Sequence, residues 1–272
     1  MYRALFSSLG ERQSPINIDP ETVICDSDMC QPSSMKLTYH EGDCEVIVAE
    51  PTTWRIKTGD NCKSSLTASH LPAEFRLLQI HGHWGSKTDC GTEHSIDYHK
   101  YAAEVHFVFW NTTYDAEEAL SRPDGLTVVA VFLKVGKHND DYAHITGAIR
   151  KVVRSQEPLA MPETFDLAKL IPIGSDYIYY KGSLTTPPFN ESVLWTIMLT
   201  PVEVSHKQLR QFHRIGVKEN FRDIQPLNGR KIYSSCQLSK VEKVEQEANN
   251  DETVEQANND ETVDEDSPEN TP

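Results

Sequence analysis

Three residue types at fixed spacing carry the chemistry of this chain. His81 and His83 stand one residue apart in Ile80-His81-Gly82-His83-Trp84-Gly85, just after the apolar run Phe75–Gln79. In a strand, side chains alternate faces, so the two imidazoles leave on the same side and reach a common point. A third, His106, lies in the next strong strand pattern. An antiparallel return would bring it beside the pair. Three neutral imidazoles from two paired strands suit zinc, whose catalytic sites take three protein ligands and keep a fourth position open. Gln79 sits two residues before His81, and Glu104 two before His106. Each shares its histidine's face and offers an oxygen to the second ring nitrogen, the arrangement that fixes a metal ligand's tautomer. The competing reading is a buried polar network without metal.

The elements that must position these residues are mostly strands. Glu74–Trp84, Ala102–Trp110, Leu126–Val135 and Ser192–Leu199 are short apolar or alternating runs rich in Val, Ile and Phe, punctuated by Gly and Pro. Helical spacing occurs at Asp141–Ser155 and Val204–Ile215, the second with Ser205 placed to cap it. This predicts a mainly β (α+β) single domain over about residues 10–239, with a large twisted, mostly antiparallel central sheet and a few surface helices. Residues 1–9 form a short leading segment.

Residues 240–272 differ in kind. Twelve carboxylates and one lysine from Val241 to Pro272 carry −11 of the formal charge of −15. VEQEANNDET (Val244–Thr253) is followed at once by VEQANNDET (Val254–Thr262). Low hydrophobicity and like charge cannot offset the entropy of ordering, so the segment reads as a disordered tail. It serves either as a solubiliser or, because hard cations prefer carboxylate oxygens, as a binder of Ca²⁺ or a carbonate mineral surface. The remainder is only mildly acidic, which excludes the basic footprint of a nucleic-acid binder. No window reaches the roughly 18 apolar residues of a membrane span. Six cysteines without a Cys-x-x-Cys pair argue against a cysteine zinc site and for disulfides of unspecified pairing. With the two Asn-x-Ser/Thr sequences at Asn111 and Asn190, they point to a secreted glycoprotein, a cytoplasmic setting being the alternative.

GERQSPINI (Gly10–Ile18), IHGHWG, GTEHSIDYHKYAAEVHFVFWN (Gly91–Asn111), PDGLTVVAVFLKVG (Pro123–Gly136) and YKGSLTTPPFNESVLW (Tyr180–Trp195) occur in this order. Together they resemble the α-class carbonic anhydrases. The resemblance implies a zinc lyase that hydrates CO₂ reversibly to bicarbonate and a proton by attack of zinc-bound hydroxide. It implies His81, His83 and His106 as ligands, oriented by Gln79, Glu104 and the backbone carbonyl of Asn220. Thr185 matches the hydroxyl that bonds the hydroxide, and Glu93 the carboxylate that takes the Thr185 proton. Thr186 matches a residue lining the bicarbonate position. Val108, Val128, Leu184, Val193 and Trp195 match the apolar wall for CO₂, a molecule no charge can hold. His94 matches a structural histidine.

The chain departs from the family pattern at three places. Nine residues precede Gly10, where family members carry a longer aromatic segment. Fast members place a proton-shuttle histidine near Glu50–Ile56, where this chain has Thr52 and Thr53, neither of which titrates near pH 7. A slower enzyme, limited by proton transfer, is expected. Ser8 and Phe189 stand where many secreted members form a disulfide. The alternative of another class is an acidic extracellular matrix protein with little catalysis, in which the tail matters most.

Overall fold

The computed structural model describes residues 10–238. The leading segment and the acidic tail lie outside the described residues. Seven strands form the centre of a twelve-stranded twisted sheet: β1 (Cys44–Ala49), β2 (Trp54–Thr58), β3 (Phe75–Trp84), β4 (Ala103–Asn111), β5 (Leu126–Val135), β6 (Tyr177–Gly182) and β7 (Val193–Val204). Their spatial order is β1-β2-β3-β4-β5-β7-β6. Five short strands extend the edges.

Among these seven, neighbours are antiparallel except at the centre, where β5 runs parallel to β7 from Leu126↔Val193 onward. The sheet is therefore mixed. Parallel pairing needs a crossover connection, and the long stretch between β5 and β7 supplies one. That stretch holds α2 (Asp140–Ser155) and the strand β6; the one-turn helix α1 (Ala116–Ala119) precedes it between β4 and β5. Asn139 caps α2 by accepting from the backbone N–H groups of Asp141 and Tyr142. Its apolar stripe, Tyr142, Ile145, Ile149 and Val152, is fully buried. Ser205 and Gln208 form a reciprocal capping box on α3 (His206–Phe212).

The pleat divides the strands between two cores. Ile56, Ile80, Phe107, Val129 and Val131 point to the face covered by α2 and α3. Val108, Val128, Ala130, Trp195 and Ile197 point to the other. Gly82, between the two histidines, faces the first core, where a β-carbon would come within 2.7 Å of the Trp54 ring. No larger residue fits there without moving a buried indole. Among the described residues, no helix is long and apolar enough to cross a membrane.

Candidate metal centre

Register along three strands assembles the site. Arg55 on β2 pairs with His81 on β3, and His81 pairs with His106 on β4. His106 continues to Ala130 on β5, and Ala130 to Ile197 on β7. A parallel row on the same face runs Lys57, Gln79, Val108, Val128, Trp195 and Tyr180. The sheet itself thus sets a histidine row against an apolar row. Val193, two residues before Trp195, lies on the same face and is fully buried. Leu184 is half-buried, and Thr186 is exposed.

Each of the three histidines has one nitrogen anchored. His81 Nδ1 lies 2.9 Å from Gln79 Oε1. His83 Nδ1 lies 3.1 Å from the carbonyl oxygen of Asn220. His106 Nε2 lies 2.7 Å from Glu104 Oε1. All three partners are acceptors, so each anchored nitrogen carries the proton and donates. The opposite nitrogens keep their lone pairs, and these converge within 4.8 Å of one another. His106 Nδ1 is only 3.3 Å from His81 Nε2, and His83 Nε2 is buried with no hydrogen-bond partner. Lone pairs aimed together in a buried space repel unless a cation lies between them. Three neutral nitrogen donors, with no sulfur and no fourth protein ligand among the described residues, fit zinc in its open, catalytic form.

Burial lowers the pKa of His81 well below the usual imidazole range, and neighbouring His83 and His106 add to the effect. Burial also lowers that of His83, against the opposing pull of Glu93. Both rings are therefore neutral, the form that binds metal, at pH values where a solvated histidine would be charged.

Glu104 is fully buried and holds the site together. Burial alone would raise its pKa, but His94 and the hydrogen bonds from His106 and His94 outweigh it and keep the carboxyl well below the usual range. Its Oε2 accepts from the backbone N–H groups of Glu93 and His94, both at 2.9 Å. His94, Glu104 and His106 also form a compact cluster, but His94 Nδ1 is bonded to Glu104 and its Nε2 to the Tyr180 hydroxyl. No lone pair remains there for a metal.

Asn220 is a latch as well as an acceptor. Its side chain accepts from Trp84 N and donates to the carbonyls of Thr52 and Gly82. Two residues on, the Arg222 backbone N–H donates to Glu93 Oε1 at 2.9 Å. Sequence reasoning missed that contact, which joins positions 129 apart. Glu93 Oε2 is buried without a hydrogen-bond partner, with His106 Nδ1 3.9 Å away. Thr185 is buried (7% exposed) just beyond β6, yet no hydrogen bond joins it to Glu93 among the described residues. Trp195 packs against His94 and His106 with ring centroids 4.7 and 4.9 Å away, and its Nε1 donates to the Ser183 carbonyl.

Two expectations about the setting are not met. All six cysteines are free thiols, three of them buried. Asn111 is 1% exposed, with its amide donating to the Asp124 carbonyl, so the folded chain does not present it for glycosylation. The Asn190 amide likewise donates to the Leu120 carbonyl.

The eukaryotic-type carbonic anhydrase family model matches residues 4–236. Mitochondrial carbonic anhydrase 5A of Rattus norvegicus is 34% identical over 245 residues, covering 85% of this chain and 79% of its own length. The Homo sapiens counterpart is 35% identical over 243 residues, with 85% and 78% covered. Homo sapiens carbonic anhydrase 3 is 34% identical over 238 residues, with 83% and 90% covered. The chain belongs to the eukaryotic-type carbonic anhydrases, a family of zinc enzymes with carbonate dehydratase activity.

Proposed function

We propose that His81, His83 and His106 hold the zinc of a reversible CO₂ hydratase, with Gln79, Glu104 and Asn220 as their orienting partners. The single observation that carries this reading is the gathering of one ring nitrogen from each of the three histidines within 4.8 Å, while the other nitrogen of each ring faces an acceptor. When bound, zinc supplies a water acidified to a pKa of about 7, a value established for carbonic anhydrase itself, and hence hydroxide at neutral pH. Glu93 holds its Oε1 on the Arg222 N–H and keeps Oε2 as a spare acceptor for the Thr185 hydroxyl proton. Thr185, having given its proton in that direction, accepts one from the nucleophile and turns a lone pair towards substrate. Val108, Val128, Val193, Leu184 and Trp195 form the dry wall for CO₂, and Thr186 lines the bicarbonate position. The row of Val108, Val128 and Trp195 beside the histidine row supports this assignment. Measuring zinc stoichiometry and CO₂ hydration in the wild type and His106→Ala tests the reading. Joint loss in the variant supports it, and unchanged activity overturns the ligand set.

The enzyme is slower than fast relatives, because Glu50–Ile56 contains no imidazole to carry protons to buffer. Turnover rises with the concentration of an imidazole-type buffer; a fast, buffer-independent rate contradicts this. The acidic repeat favours a second role in binding Ca²⁺ or a carbonate mineral. Deleting Val241–Pro272 lowers binding to calcium carbonate crystals if that role is real and leaves it unchanged if the tail only solubilises.

A further inference from the structure

We infer that Arg55 is an anion-binding residue of this site, with its guanidinium positioned to grip the planar oxyanion product. The inference rests on the reading of His81, His83 and His106 as zinc ligands. Arg55 lies directly opposite His81 on the neighbouring strand. Trp54 and Ile56, on either side of it, are buried in the helix-covered core. Alternation therefore sends Arg55 to the face of the three histidines, and side chains directly opposite on paired strands touch.

His83 and His106 are 3% and 1% exposed, whereas His81 is only half-buried. Solvent, and with it any anion, reaches the centre past His81 and hence past Arg55. Lys57, two residues on and exposed, lies on the same face. A body that is acidic overall thus sets two cations on one side of the approach.

The guanidinium is held but not saturated. Arg55 Nε donates to Glu50 Oε1 at 2.7 Å and Nη2 to Glu50 Oε2 at 2.8 Å. Glu50 is fixed in turn by the tight return between β1 and β2, where its backbone N–H donates to the Thr53 carbonyl. Two of the five guanidinium donors are used. Nη1 makes no hydrogen bond among the described residues. The free Nη1/Nη2 edge matches a carboxylate-shaped anion, with two parallel N–H···O bonds. Bicarbonate has that shape and CO₂ does not, so Arg55 acts on the charged partner of the reaction. Were the pair only a clamp on the β1–β2 return, the shape of an added anion would be immaterial.

Calorimetric titration of the zinc-loaded full chain with sodium formate and sodium iodide tests this, with zinc stoichiometry measured on the same samples. Formate is planar and unreactive, and iodide is a sphere. Arg55→Gln weakens formate binding roughly tenfold, the scale of charge-assisted hydrogen bonds, and iodide binding less. Arg55→Lys, which keeps charge but not the fork, restores iodide and not formate. Formate affinity unchanged in Arg55→Gln at full zinc content overturns the role of Arg55. Equal changes for both anions in both variants overturn the fork. A wild type that takes up no zinc refutes instead the ligand reading beneath it.

Discussion

Both faces of the sheet bury histidines, and only one set is arranged as a candidate metal centre. His70, packed against Tyr177 and Tyr179 of the helix-covered core, has both nitrogens engaged, Nδ1 with the Tyr177 hydroxyl and Nε2 with that of Thr196, each at 2.8 Å. His94, next to the site, is engaged at both ends as well. His81, His83 and His106 each have one nitrogen anchored and one left over. Polarity is common to all five and burial to four, His81 being half-buried. What sets the centre apart is the spare lone pair, and the acceptors behind the rings decide where it points.

Exchanging residues between the two groups separates these roles. His83→Ala reduces CO₂ hydration to background and abolishes stoichiometric zinc, read by metal analysis. His70→Ala leaves zinc bound and instead leaves two buried hydroxyls unpaired, at about 1–3 kcal/mol each, read by urea unfolding. Glu104→Gln keeps the shape of the anchor but removes its charge. Zinc affinity then drops by roughly 10–100-fold, the usual scale for losing an orienting partner, as competition with a chelator measures. Gly82→Ala drives a methyl into Trp54 on the core side and costs about 1–3 kcal/mol by overpacking, while zinc stoichiometry stays at one. Thermal unfolding of the metal-loaded protein checks it.

The remaining effect is a slope in pH. Burial lowers the His70 pKa from 6.5 to about 3. Between those values the unfolded chain binds a proton that the native one refuses. Stability therefore falls as the pH drops from about 6.5 towards 3, by up to about 1.4 kcal/mol per pH unit from this group. Urea midpoints across that range show the slope, and His70→Asn flattens it.

The sequence revealed the parts of the site that depend on local parity. His81 with Gln79 and His106 with Glu104 are i, i+2 relations, and a strand converts them into shared faces without knowledge of the fold. The pairing of His106 with His81 needed only a hairpin-like return. Contacts set by distant chain were invisible to spacing. The Asn220 carbonyl reaches His83 across 137 positions, and only family resemblance pointed to it. The Arg222 N–H on Glu93 and the opposition of Arg55 to His81 came from tertiary register alone. The strand pattern of β5 and β7 was plain, but their parallel sense was not. An apolar run buried on both faces reads the same in either direction. Cysteine number suggested disulfides, yet pairing depends on side-chain geometry that counting does not contain. The sequon at Asn111 misled similarly, because it ends a buried strand.

X-ray absorption at the zinc edge of the loaded protein measures the central claim most directly. The account predicts a first shell of three imidazole nitrogens at about 2.0–2.1 Å with one further light atom. A sulfur shell near 2.3 Å, or the same three-imidazole signal persisting in His83→Ala, would contradict it.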